Sequence, residues 1–177
     1  MFTGERIRLR KVEGKDAAIY HQWRNDTEVM KTTQPHLDVH TYESTEQFIK
    51  MITTSDTSKS YMIEEIETSE IVGITSMIGM DYKNRHAEVI LDIGEKEKWG
   101  KGYGREALER LLDYSFLELN LHKVSLKVYA FNERAVRLYE HTGFTTEGRL
   151  KEELFRNGSW HDLLVMALFQ TDYLKRS

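Results

Sequence analysis

The chain has 177 residues, 40% hydrophobic and 31% charged, with a formal net charge of −4 and no cysteine; this fits one folded domain, 1–177, with a sizeable core and is not the composition of a disordered chain. The missing cysteines exclude disulfides, Cys-ligated zinc and a Cys nucleophile, and the acidic balance, with a sequence pI of about 6.0, argues against nucleic-acid binding. No apolar run approaches the ~20 residues of a membrane span, and Met1-Phe2-Thr3-Gly4-Glu5-Arg6 lacks an apolar signal core, so no membrane partner and a cytoplasmic location are expected.

Residues 5–10 alternate apolar and charged side chains, the pattern of a half-buried strand. Asp16 is placed to cap a helix through about Asn25, with Ala18, Ile19 and Trp23 on one face. Ser44 and Gln47 have capping-box spacing for a second helix, and the segment around Pro35 between the two reads as a loop. Strands over 61–66, 71–80 and 87–93 follow, joined by short turns, which predicts an antiparallel meander.

The pattern then changes. Gly100 to Gly104 form a glycine-rich loop that opens a helix with Ala107, Leu108, Leu111 and Leu112 on one face. A strand over 124–128 and a helix over 132–141 follow, with Gly143 as the helix stop. Asn157-Gly158 between two alternating runs predicts a hairpin with a type I′ turn. The predicted order is βααβββαβαββ: an α/β fold with a mixed, mostly antiparallel sheet of about seven strands and about four helices.

The segment from Leu91 to Leu108 carries the chemistry. A strand runs into Gly-x-Gly-x-Gly, and a long amphipathic helix starts at once. Glycine permits positive φ and close approach of a ligand, and the first N–H groups of a helix have no internal partner. Together they form an anion site, with Lys98, Lys101 and Arg105 adding positive charge. A pyrophosphate fits such a nest; glycines at this position also serve as plain turns. A P-loop is excluded because five residues separate Gly94 from Gly100-Lys101, with Gly102 where Ser or Thr is needed. The spacing of Gly100, Gly102 and Gly104 also misses the dinucleotide fingerprint.

Taken in order, these segments resemble the GNAT acetyltransferases, in particular the branch of ribosomal-protein N-terminal and spermidine acetyltransferases. Gly4 to Arg10 matches the opening strand, and Trp99-Gly100-Lys101-Gly102-Tyr103-Gly104 with Glu106-Ala107-Leu108 the coenzyme-A loop. Asn132-Glu133-Arg134-Ala135 with Leu138-Tyr139 and Gly143-Phe144 matches the second signature. Glu147-Gly148, Asn157-Gly158, Trp160, Asp162 and Met166 match the C-terminal hairpin.

The resemblance implies a fold in which strands four and five splay, with the pantetheine arm of acetyl-CoA between them. Backbone groups of Leu91, Asp92 and Ile93 would pair with that arm. Trp99, Gly100, Lys101, Gly102, Tyr103, Gly104 and Arg105 would surround the pyrophosphate, and Asn132, Ala135 and Tyr139 would meet the coenzyme from the second helix. Arg134 or Arg137 would approach the nucleotide phosphates or stand as a solvated helix-face charge. The implied reaction is direct attack of a neutral primary amine on the thioester, with proximity supplying much of the rate. Tyr139 is the implied general acid. Glu88 and Asp92, at i and i+4 on one strand face, are candidate bases beside a water chain.

The acceptor that the resemblance implies is an amine-bearing small molecule (a polyamine or other small amine, an amino acid or a drug) or a protein N-terminus. The polyamine enzymes of the branch carry an aromatic and acidic run after the residue matching Met30; here Lys31-Thr32-Thr33-Gln34-Pro35-His36 lacks the acids, which weighs against a di- or tri-cation. His36 and His40 are i, i+4 beside Pro35, without the metalloprotease Glu, and read as loop residues, so no metal is expected. A homodimer or larger homo-oligomer follows from the resemblance. A catalytically silent acyl-CoA-binding regulator and a nucleotide-binding α/β module are the alternatives; melting shifts with acetyl-CoA, NAD and ATP separate them.

Overall fold

The computed structural model describes residues 1–175, among which lie seven strands and six α-helices. The order is β1 Ile7–Lys11, α1 Ala17–Arg24, α2 Thr27–Met30, α3 Tyr42–Thr54, β2 Lys59–Glu65, β3 Ile71–Asp81, β4 His86–Ile93, α4 Tyr103–Asp113, β5 Lys123–Tyr129, α5 Glu133–Thr142, β6 Thr145–Arg156, β7 Ser159–Phe169 and α6 Gln170–Leu174. The predicted strands all form. The two additional helices, α2 and α6, have four and five residues and fall below the length at which apolar periodicity can be read.

The strands make one sheet in the order β1-β2-β3-β4-β5-β7-β6. Every neighbouring pair is antiparallel except β4 and β5. The parallel pair holds register only over His86, Ala87 and Glu88 against Lys123, Val124 and Ser125. Beyond Glu88 the two strands part, as the resemblance implied, and a V-shaped gap opens inside the sheet.

Two apolar clusters pin the sheet from opposite faces. Ala107, Leu108, Leu111 and Leu112 of α4 are fully buried against Ile7, Ile63, Ala87 and Leu126. Tyr20 and Trp23 of α1 pack with Met30, Ile49, Met62 and Ile74 on the other face. Burying each large side chain stabilises the fold by roughly 1.5–3 kcal/mol.

Local chemistry fixes the ends, with two departures from expectation. Asp16 does not cap α1: its carboxylate accepts from the Glu13 amide at 2.7 Å and pairs with Arg10 at 2.8 Å, inside the preceding 3-10 turn. The cap of α3 is Thr41, whose hydroxyl accepts from the Ser44 amide at 3.2 Å, so the Ser44–Gln47 box does not form. Thr41 outcompetes Ser44 because its own extended backbone (ψ 156) leaves the side chain free to turn back. Gly143 ends α5 with φ 104, and Asn157 and Gly158 turn the last hairpin with φ 52 and 78, both as predicted.

Candidate active site

The gap between β4 and β5 widens into a cleft of about 570 Å³. Its walls are the open ends of both strands, the Gly100–Gly104 loop with the start of α4, one side of α5, the segment after α2 and part of the last hairpin. Of the residues singled out from sequence, Glu88, Leu91, Asp92, Ile93, Trp99, Gly100, Gly102, Tyr103, Gly104, Arg105, Asn132, Ala135 and Tyr139 all border it. Lys101 does not; it belongs to the same loop, and its carbonyl accepts from Arg6 Nη1 at 2.8 Å.

The strand-four wall presents backbone. The Gly94 amide bonds the Val72 carbonyl, so antiparallel alternation turns the amides and carbonyls of Val89 and Leu91 toward the gap. The Asp92 backbone faces β3 opposite Ile74. The Ile93 carbonyl is taken by the Trp99 indole N–H at 2.7 Å. That bond seats Trp99 at the mouth of the loop, and the Arg134 guanidinium lies 4.4 Å from its ring. Arg137 instead pairs with Glu133 at 3.1 Å on the exposed side of α5.

The loop is built to meet an anion. Gly100 and Gly102 adopt φ 70 and 90, a region that side chains disfavour. Gly102 is the N-cap of α4, and no side chain caps the helix, so its first amides remain for a ligand. The free-charge count differs from expectation. Lys98 donates to Glu65 at 2.7 Å and Arg105 pairs with Glu109 at 2.9 Å. Glu65 also accepts the Tyr103 hydroxyl and that of Thr68. Lys98, Tyr103 and Thr68 together hold the Glu65 carboxyl down to about 2. This network, with Arg6 on the Lys101 carbonyl, fixes the loop; sequence spacing gave no sign of either.

Two ionisable groups face the far end of the gap. Asp92 is 7% exposed, and its Oδ1 has no hydrogen-bond partner. Burial pushes its carboxyl up to about 7, with the Thr33 hydroxyl pulling weakly the other way. The Tyr139 phenol is pushed above its ordinary value, first by burial and then by the charge of Asp92. Tyr139 therefore keeps its proton at neutral pH, whereas Asp92 is poised to exchange one. Glu88 is ion-paired with Lys127 at 3.0 Å, which occupies it. Asn132 caps α5, its Oδ1 accepting from the Ala135 amide at 3.3 Å; its side-chain nitrogen stays available to the cleft. His36 and His40 lie in the segment after α2, and the His40 amide donates to Asn25 Oδ1 at 2.8 Å.

A split parallel strand pair, an uncapped glycine-rich helix start and a cleft that joins them define an acyl-coenzyme-A-dependent transferase. The Acetyltransferase (GNAT) domain family matches residues 6–145. The spermidine N(1)-acetyltransferase of Vibrio cholerae is 33% identical over 173 residues, covering 97% of both chains. A crystal structure of spermidine N-acetyltransferase from that organism, in complex with CoA and spermine, superposes with a TM-score of 0.87 at 32% identity, over 97% of this chain and 99% of the other. A dodecameric structure of the same enzyme gives a TM-score of 0.83 at 31% identity, over 98% and 99%. The chain belongs to the GNAT acetyltransferases; it is an acetyltransferase enzyme that uses acetyl-CoA.

Proposed function

We propose that the protein acetylates a small primary alkylamine, with polyamines the first class to test. Asp92 is the single observation that carries this reading. A carboxylate with a free oxygen, buried at the end of the gap, accepts a proton from an ammonium group delivered there. An alkylammonium with a pKa of about 10.4 must lose that proton before it reacts. Tyr139 supplies a proton to the departing thiolate and is re-protonated by the second proton that the acetylated nitrogen sheds, so the thiol, the amide and one proton on Asp92 balance the step. The coenzyme contributes the activated acetyl thioester. Val89, Leu91 and the α4 start orient it, and Trp99 with Arg134 closes the loop side.

The acceptor wall combines the apolar Val29, Pro35, Tyr129, Leu154 and Leu163 with the polar Thr32, Thr33 and Gln34 and the carboxylate of Glu153. Apolar surface with a few polar groups and one carboxylate suits an aliphatic amine. The likeness to spermidine acetyltransferases supports the same class. The continuous sheet from β1 to β6 supports reading the chain as one domain, and the dodecameric neighbour supports a homo-oligomer. No helix among the described residues is long and apolar enough to cross a membrane.

The test is acetyl-CoA turnover against spermidine, spermine, diamines, monoamines and N-terminal peptides, read as free thiol released. Turnover with small amines above peptides is expected. A peptide preferred over every small amine overturns the acceptor class, and thiol release unchanged by any amine overturns the reaction.

A further inference from the structure

We propose that Arg156, at the tip end of β6, is a positioning residue for the acceptor: it latches the segment between α2 and α3 onto the cleft. This rests on the reading above that the segment walls the acceptor half. Arg156 Nη2 donates to the carbonyl of Gln34 at 2.7 Å and to that of Pro35 at 3.3 Å. Arg156 is 8% exposed, no carboxylate pairs with it among the described residues, and its Nη1 is buried without a partner. A guanidinium desolvated without an anion is costly, so the two carbonyls are its main compensation.

The geometry makes this latch local to one wall. Gln34 and Pro35 border the cleft while Arg156 lies behind them. The other end of the segment is held by Asn25, whose side chain accepts from the His40 amide at 2.8 Å and donates to the His40 carbonyl at 3.2 Å. Thr33, whose hydroxyl acts on Asp92, is one residue from the Arg156 bond. The latch therefore sets both the width of the acceptor wall and the placement of Thr33, while the coenzyme loop is anchored elsewhere, by Arg6 and Glu65. Because the acceptors are backbone carbonyls, the latch tolerates changes in the side chains at 34.

Arg156→Met keeps length and apolar bulk and removes the donors. The expected result is an acceptor KM raised about tenfold or more, an acetyl-CoA KM within about twofold, and faster amide exchange confined to 31–40. Arg156→Lys, which retains a donor, restores part of both. Overturning results are an unchanged acceptor KM, or parallel loss of affinity for both substrates. If Arg156→Met does not fold, Arg156→Gln, whose shorter neutral amide cannot span both carbonyls, decides: faster exchange at 31–40 supports the latch, and wild-type exchange there overturns it. Exchange is read without substrate, so it stands apart from the identity of the amine; if no amine reacts with the wild type, the acceptor reading fails rather than the latch.

Discussion

Glu106 of α4 holds Arg6 by two atoms at once: the Arg6 amide donates to Oε1 at 2.8 Å, and the guanidinium Nε donates to Oε2 at 3.2 Å. The Ile7 amide adds a third bond at 3.3 Å. The sheet edge thus reaches across to the helix that carries the coenzyme loop. Burial raises the Glu106 carboxyl, but the Arg6 and Ile7 amides and the guanidinium outweigh it, leaving a net lowering. Glu106→Ala strands two amides and is expected to cost about 1–3 kcal/mol, read as a lower melting temperature with weaker acetyl-CoA binding. The folded carboxyl lies below its unfolded value, so its contribution is present above pH ~4.5 and fades as pH falls. Arg6→Ala should cost less, because that side chain is half exposed.

Asp92 predicts the pH profile. Its folded carboxyl is raised to about 7 from 3.8. A raised acid favours the folded state below its unfolded value, and that advantage is lost as pH climbs from about 4 to about 7. Activity runs the other way, because the base must be ionised: kcat/KM should rise with pH through an apparent pKa near 7. Asp92→Asn should remove both dependences and lower turnover by about 10²-fold or more. A variant with wild-type turnover would exclude Asp92 as the base.

Tyr139→Phe separates chemistry from binding. The ring packs against Phe144 at 5.9 Å and is buried, so the phenylalanine fills the same space. Turnover should fall at least about tenfold with acetyl-CoA affinity unchanged. Equal losses in both would mean that the hydroxyl only positions the coenzyme.

Gly102→Ala tests the loop. At φ 90 a side chain costs about 1–2 kcal/mol, and an added Cβ would stand 2.8 Å from Arg6 Nη2. The clash is with the clamp behind the loop rather than inside the phosphate nest. Weaker acetyl-CoA binding is expected with acceptor KM little altered, measured by titration and steady-state kinetics. Gly102→Glu should abolish coenzyme binding.

The strands, the long helices and the cleft residues of β4, the glycine loop and α5 were legible from sequence because each depends on neighbours in the chain: alternation in β4, the i, i+4 stripe of α4, the Asn157-Gly158 turn; Val29, Tyr129, Glu153, Leu154 and Leu163, which reach the cleft from separate elements, were not. The anchors were not. Arg6 reaches Glu106 across 100 positions, and Arg156 reaches Gln34 across 122. In an alternating strand such arginines look like ordinary solvent-facing charges, and only the folded register shows what they meet. The same holds for Lys98, which stands beside the loop in sequence and meets Glu65 only in space; Arg105 instead pairs with Glu109 at i, i+4, a spacing that the sequence carries. Thr41 displaced Ser44 as a cap because both have the right chemistry and backbone geometry alone chooses between them.

The parting of β4 and β5 leaves the sheet a seam in its middle, closed by three residue pairs, beyond which the backbone of Val89 and Leu91 turns toward the opening. On the proposed reading, the arm of acetyl-CoA would lie in that seam as an added strand. Each catalytic cycle would then zip and unzip part of the architecture, so turnover and mechanical cohesion would be properties of the same few ångströms.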